Sequence, residues 1–292
     1  MATAAQWIAG ARPRTLGAAI APVAVGTGVA AAADSLQPVR ALLALLVLVA
    51  AQMGVNYAND YSDGIRGTDD ERVGPVRLVG QRLASPAAVR AAALACLATS
   101  AIAGLVLVAL TAQWWLLLVG AVSLVAAWLY TGGPQPYGYL GLGEIAVFVF
   151  FGVVPVVGTA YVQTLSFTTT AWVSSIGVGA LTCAILVANN LRDIPSDAQV
   201  GKRTLAVRIG DGPTRVLYVA LVVSAFVVIV PLALALGLTY AWLGVIAALL
   251  AIGPVAAVSR GATGRALVAV LKGTGLVVLA YGLLLGLGIG LS

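Results

Sequence analysis

The 292-residue chain contains no histidine, which removes the commonest general base and the commonest transition-metal ligand together. Carboxylates are left to carry any acid–base or metal chemistry. Charge is almost as scarce: Asp, Glu, Lys and Arg make up 9% of residues against 61% hydrophobic, where soluble domains carry about 25% charged residues. A water-soluble fold is excluded. The two cysteines, Cys96 and Cys183, lie inside apolar stretches without C-x-x-C spacing, so neither a disulfide framework nor a zinc site is expected. Both read as packing residues. A net charge of +6 would suggest nucleic-acid binding in a soluble protein, but in a membrane protein basic loops report orientation. No nucleic-acid partner is expected.

What is present is a series of apolar runs of about 20 residues, the length that a hydrocarbon core about 30 Å thick demands of a spanning helix. A transmembrane barrel would instead show alternating segments of about 10 residues, and backbone in lipid permits no third architecture. The chain therefore reads as all-α, a polytopic membrane protein forming one domain over residues 1–292. Nine transmembrane helices are expected, near residues 15–33, 41–62, 88–111, 113–131, 144–162, 170–193, 214–236, 238–258 and 267–290. The first run is too long for the apolar region of a secretion signal, so it is read as a retained helix.

Cytoplasmic loops accumulate Lys and Arg, and alternate connections differ sharply in both. Arg12 and Arg14 precede the first helix, five Arg from Arg66 to Arg90 follow the second, Arg192 to Arg215 follow the sixth, and Arg260, Arg265 and Lys272 follow the eighth. Fifteen of sixteen cations thus fall on one side, with Arg40 alone on the other. The N-terminus is expected to be cytoplasmic, as are both long basic loops.

An acid at membrane depth costs about 2.5–3.5 kcal/mol on insertion scales, so the ten that exist are informative. Eight lie in two clusters: Asp60, Asp63, Asp69, Asp70 and Glu71 after the second helix, and Asp193, Asp197 and Asp211 after the sixth. In N-Y-A-N-D-Y-S-D, Asn56, Asn59, Asp60 and Asp63 recur at helical spacings and share one face. In N-N-L-R-D-I-P-S-D, Asn189, Arg192 and Asp193 repeat the spacing of Asn56, Asn59 and Asp60, and Asp197 completes the set. The second and sixth helices, with three others between them, run the same way, so the pattern implies a parallel internal repeat that presents both acidic faces at one membrane surface.

Facing carboxylates repel, and a hard divalent cation with oxygen ligands relieves the repulsion. Mg²⁺ suits this set, because it takes a few carboxylates together with water and substrate phosphates. The surrounding cations Arg66, Arg72, Arg77, Arg192, Lys202 and Arg203 supply charge-assisted donors for the same anion. Metal and cations together describe a clamp for a diphosphate. The Gly/Pro-rich connection Y-T-G-G-P-Q-P-Y-G-Y-L-G-L-G-E carries no Lys or Arg, but it places Tyr130, Tyr137, Tyr139 and Glu144 where they can cap such a site or contact an acceptor, as can Asn59.

With these motifs the chain resembles the UbiA superfamily of intramembrane aromatic prenyltransferases, whose members carry two Asp-rich motifs after the second and sixth of nine helices. A-R-P-R-T-L, A-N-D-Y-S-D-G-I-R-G-T-D-D with R-V-G-P-V-R, and N-N-L-R-D-I-P-S-D-A-Q-V-G-K-R-T-L-A-V-R-I-G resemble the branch that prenylates 1,4-dihydroxy-2-naphthoate. The resemblance covers residues 12–210; the last three helices match in number and hydrophobicity only. Many relatives read N-D-x-x-D-x-x-x-D, whereas Gly67 stands here in place of the third acid. The resemblance implies Mg²⁺ ligated by Asp60, Asp63, Asp193 and Asp197, a diphosphate held by Arg66, Arg77, Arg192, Lys202 and Arg203, and Asn56 and Asn189 positioning the reacting groups.

The implied substrates are a polyprenyl diphosphate and 1,4-dihydroxy-2-naphthoate, joined with loss of diphosphate and CO₂ to give demethylmenaquinone. The implied setting is the bacterial cytoplasmic membrane, with lipids as surroundings and no obligate protein partner. A 4-hydroxybenzoate-type acceptor is the nearest alternative. A secondary transporter would place its site near the midplane on broken helices. A CDP-alcohol phosphotransferase would continue D-Y-S-D-G with A-R and a nearby second acidic pair, which this chain lacks.

Overall fold

The computed structural model describes residues 2–66, 76–133 and 136–292, and every regular element among them is helical. A short helix α1 (Ala4–Gly10) leads through a tight turn at Pro13–Thr15 into α2 (Gly17–Ala32), the two halves meeting at 48°. Pro13 opens that turn and Arg12 before it has a left-handed φ of 55°, so the chain cannot continue as one straight helix. Then follow α3 (Pro38–Ile65), α4 (Pro86–Thr111), α5 (Leu116–Leu129), α6 (Gly143–Thr164), α7 (Thr169–Gln199), α8 (Asp211–Leu234), α9 (Thr239–Ser259) and α10 (Arg265–Gly290).

Their starts are chemically marked. Ser85 caps α4 by accepting from the Ala88 amide, with Pro86 in the first turn, and Thr168 caps α7 through the Ala171 amide.

All nine expected runs are helical, but they do not all have spanning length. Seven helices are long and apolar enough to cross a membrane, or eight when the bent pair before Ala32 is taken as one span. The exception is α5, whose 14 residues reach about 21 Å, short of a core about 30 Å thick.

Tyr218, Tyr281, Ile229, Leu285 and Val178 belong to the main core, which joins α2 and α6 through α10. Helices approach closely where side chains are small: a Cβ on Gly28 of α2 would stand 2.0 Å from the Gly286 carbonyl oxygen of α10, and one on Gly282 would stand 2.3 Å from Ala21 Cβ. Without a hydrophobic drive between helices in lipid, such backbone contact is what holds them together. In α6 a π-turn at Val149–Val153 precedes Pro155 and packs Gly152 against Gly179 of α7, where an added Cβ would lie 2.4 Å from the Gly179 Cα. The extra residue in this turn carries Phe150 and Phe151 onto the wall of the cavity described next.

Two smaller clusters flank the core. Tyr57, Leu78, Val79 and Val89 pack under the turn that precedes α4, and Ala44, Leu107 and Val162 close the opposite end of the α3, α4 and α6 group.

Candidate active site

A cavity of about 1060 Å³ runs between α2, α3, α4, α5 and α6, at the upper end of ordinary ligand pockets. On α3 its wall extends from Ala44 to Asp63, about 28 Å by helical rise. Toward Ala44 the lining is apolar, with Val47, Leu48, Leu107, Val108, Leu116, Phe151 and Val162. Toward Asp63 it becomes polar and basic, with Asn56, Asn59, Arg77, Tyr139, Asn189, Asn190, Arg192 and Lys202.

The first motif forms one side of this mouth. Asp63 accepts from the Tyr139 hydroxyl through Oδ1 at 2.6 Å and pairs through Oδ2 with Arg77 Nη2 at 3.5 Å. One turn back, Asp60 is 1% exposed and accepts the backbone amides of Leu78 at 2.6 Å and Val79 at 3.1 Å. It therefore folds the Arg77 turn onto the end of α3. Asn56 donates through Nδ2 to the Ala11 carbonyl at 2.9 Å and to Thr15 Oγ1 at 3.1 Å, clamping the entry elbow to α3.

The second motif forms the facing side. Arg192 donates to Asp193 through Nε at 2.7 Å and Nη2 at 2.8 Å, and to Asn189 Oδ1 at 2.9 Å. Its third nitrogen, Nη1, is buried and has no hydrogen-bond partner among the described residues. Lys202 Nζ lies 3.4 Å from Asp197 Oδ1. Asn190 donates to Glu144 Oε1 at 3.0 Å, tying α7 to the start of α6.

The connection after α5 joins the two sides. The Tyr139 hydroxyl meets Asp63 of the first motif, and its carbonyl accepts the Arg203 amide of the second at 3.0 Å. Lys202 Nζ and Arg66 Cζ lie 5.0 Å and 5.6 Å from the centre of its ring, within cation–π range. Thr131 Oγ1 donates to Asn59 Oδ1 at 2.6 Å, and the Arg66 guanidinium donates to the carbonyls of Thr131 and Gly133. Burial, and after it the Asp63 carboxylate, push the Tyr139 phenol well above its ordinary pKa, so the hydroxyl keeps its proton and donates.

These features match a known family over most of the chain. The pattern described as the UbiA prenyltransferase family covers residues 19–272. The chain belongs to the UbiA prenyltransferase family. It is similar to a Mycobacterium tuberculosis protein named 1,4-dihydroxy-2-naphthoate octaprenyltransferase, 56% identical over 97% of this chain and 96% of that protein. A protein of the same name from Escherichia coli is 37% identical over 76% of this chain and 74% of its own. Among solved structures, a UbiA homolog from Aeropyrum pernix K1 shares the fold at TM-score 0.70 and 16% identity, covering 90% of this chain and 96% of that one. An Archaeoglobus fulgidus UbiA homolog bound to DMAPP and Mg²⁺ does so at TM-score 0.60 and 15% identity, over 94% and 99%.

In this UbiA-family chain, the residues singled out from sequence divide into two groups. Asn56, Asn59, Asp63, Arg77, Tyr130, Tyr137, Tyr139, Asn189, Arg192 and Lys202 line the cavity. Asp60, Asp193, Asp197, Arg66, Arg203 and Glu144 do not. Asp60 is turned to the Leu78 and Val79 amides, Asp193 and Asp197 to Arg192 and Lys202, and Glu144 to Asn190. Arg66 and Arg203 are exposed and meet the connection after α5: Arg66 through its guanidinium and Arg203 through its backbone amide. Gly67, Asp69, Asp70, Glu71 and Arg72 lie outside the described residues.

Other lining residues were not anticipated as site groups: Gln52, Thr131, Asn190, Arg12 and Lys272. Gln52 was within reach of the same reasoning, since it lies one helical turn before Asn56 on the same face. The donors at the mouth are oxygens, without imidazole, and both cysteines sit elsewhere in the packing. Among the described residues no three acids stand together as a ready-made metal cage, and Asp63 is the acid on the cavity wall; a hard divalent cation that takes a few carboxylates and completes its shell with phosphate oxygens and water is compatible with so sparse a set.

Proposed function

We propose that the chain is a Mg²⁺-dependent 1,4-dihydroxy-2-naphthoate polyprenyltransferase of the bacterial cytoplasmic membrane. The observation that carries the reading is Arg192 Nη1, a buried cationic donor with no partner among the described residues, beside Lys202 at the mouth of a long apolar cavity. Asp193 pairs the charge, but a buried guanidinium donor left unmet still costs about 1–3 kcal/mol. An anionic headgroup with an apolar tail satisfies both halves of the cavity at once.

On this reading Arg77, Arg192 and Lys202 bind the diphosphate, and the apolar walls down to Ala44 hold the prenyl chain. Asp63, Asp193 and Asp197 would hold the metal. Asp60 contributes by keeping Arg77 in place. When bound, Mg²⁺ neutralises the departing diphosphate and so assists allylic C–O cleavage. Tyr139 and Thr131 close the lid over the mouth and exclude water that would otherwise capture the allylic carbon. Asn189, held by Arg192, and Asn56, held by the elbow, orient the reactants. The C–O electron pair leaves with diphosphate, the carboxyl-bearing ring carbon bonds to the allylic carbon, and CO₂ departs, leaving its bonding pair to restore the ring.

The name and near-complete coverage of the M. tuberculosis relative favour the naphthoate over other aromatic acceptors. The nine helical runs are read as two parallel repeats in one domain, with the short α5 completing the count, and a cytoplasmic N-terminus and mouth follow from the cation asymmetry, since all the mouth residues sit on the Lys/Arg-rich side. The test is product analysis from purified protein in lipid vesicles given the naphthoate, a polyprenyl diphosphate and Mg²⁺. A lipid with the mass of prenylated, decarboxylated naphthoquinol is expected. A product that retains the carboxyl group would place the new bond at another ring carbon and contradict decarboxylative transfer.

A further inference from the structure

Thr15 Oγ1 has one hydrogen, and it goes to the Arg12 carbonyl at 2.9 Å. The two amides that reach the same oxygen, Gln52 Nε2 at 3.1 Å and Asn56 Nδ2 at 3.1 Å, must therefore both be donors. This fixes the orientation of the Gln52 amide: its NH₂ faces Thr15 and its carbonyl oxygen is left over. Gln52 is 7% exposed and lines the cavity, and Oε1 is buried with no hydrogen-bond partner among the described residues. Native proteins rarely leave a buried acceptor unmet, and a functional site is one place where they do.

The position of this acceptor limits what can satisfy it. Gln52 lies one helical turn below Asn56 and three below Asp63 on α3, away from Arg192 and Lys202. On α3 the neighbouring lining residues are Leu48, Ala51, Val55 and Asn56, and Thr15, which Gln52 touches, is followed on α2 by Ala18 and Ala19. A diphosphate oxygen would be repelled by a carbonyl oxygen, and a prenyl tail has no hydrogen to donate. What fits is a neutral donor on an apolar, largely planar body, such as a ring hydroxyl.

We propose that Gln52 is a specificity-determining residue that accepts a hydrogen bond from a ring hydroxyl of the aromatic acceptor, with Thr15 holding the amide in the accepting orientation. The inference rests on the prenyltransferase reading above and names the group that selects its acceptor. Asn56, clamped by the same threonine, couples acceptor binding to the elbow between α1 and α2.

The experiment compares wild type with Gln52→Met, which keeps length and loses the acceptor. Steady-state constants are measured in detergent micelles for the dihydroxynaphthoate, for its two monomethyl ethers and for the polyprenyl diphosphate. Wild type is expected to prefer the free hydroxyl over one of the ethers. Gln52→Met raises KM for the dihydroxy compound about ten-fold, abolishes that preference, and leaves KM for the diphosphate unchanged. Thr15→Val keeps the amide but lets it turn, and so weakens the same preference; it serves as the readout if Gln52→Met does not fold. Undiminished discrimination in a folded Gln52→Met protein, or in Thr15→Val if that is the variant read, would overturn the assignment while leaving the prenyltransferase reading intact. A wild-type protein that prenylates no aromatic acceptor would overturn both.

Discussion

Tyr139 donates its phenolic hydrogen to Asp63 at 2.6 Å while its backbone carbonyl accepts the Arg203 amide at 3.0 Å. One residue of the lid thus bridges two motifs that are more than a hundred positions apart in sequence, with Lys202 and Arg66 flanking its ring. On the proposed reading, this bridge holds the two motifs together and keeps water from the mouth.

Tyr139→Phe should therefore cost more than a surface hydroxyl would. A hydrogen bond to a charged partner is worth about 1.5–3 kcal/mol, so kcat/KM should fall roughly 10- to 100-fold, with release of free prenyl alcohol rising as water enters. The phenol is held above its ordinary pKa, so the bridge is fully present below pH about 10 and is lost only as pH rises through the elevated value. Activity between pH 7 and 9 should show no limb that Tyr139→Phe removes.

Arg192 offers a guanidinium fork of which two nitrogens hold Asp193 and Asn189 and the third is unmet. Lysine supplies charge without the fork. Arg192→Lys should raise KM for the prenyl diphosphate about 10- to 100-fold and leave KM for the acceptor nearly unchanged. Equal effects on both substrates would indicate that Arg192 is structural.

Asp60 distinguishes a folding role from a ligand role. Its two oxygens hold the Leu78 and Val79 amides, so Asp60→Ala should speed hydrogen exchange at those amides and displace Arg77, with at least a 100-fold loss of activity. Asp63→Ala, by contrast, should abolish activity with the Leu78 and Val79 amides still protected. Identical exchange in both variants would contradict this division.

Removing the metal should separate activity from stability. Among the described residues the acids already meet Tyr139, Arg192 and Lys202, so a chelator should abolish transfer reversibly while shifting the thermal midpoint little. Gly28→Val should do the reverse. Its Cβ would stand 2.0 Å from the Gly286 carbonyl oxygen, and overpacking against rigid backbone costs about 1–3 kcal/mol or more. The folded protein recovered should fall and its midpoint drop, with KM preserved in what remains.

Much of this was legible in the sequence because lipid imposes a simple rule. Bilayer thickness sets run length, so all nine apolar stretches were found, and only the short α5 departs, where Trp114 and Trp115 occupy a turn rather than the helix. Helical spacing put Asn56, Asn59 and Asp63 on the cavity wall. The same spacing put Asp60 on that face, but nothing in the first motif reveals that Leu78 and Val79 fold back to meet its carboxylate. Arg66 and Arg203 carry the right charge, but backbone carbonyls and a tyrosine ring draw them to the lid. Pairs such as Thr131 with Asn59 and Asn190 with Glu144 join residues 72 and 46 positions apart, a separation that no local pattern encodes. Gln52 was a matter of extending the polar face one turn further.

Decarboxylative prenyl transfer at this mouth is read out by simultaneous release of diphosphate and CO₂ from protein reconstituted with 1,4-dihydroxy-2-naphthoate, a polyprenyl diphosphate and Mg²⁺. Equimolar release of both, lost in Asp63→Ala and Arg192→Leu, is the predicted result. Release of neither product, with any aromatic acceptor, would contradict the account.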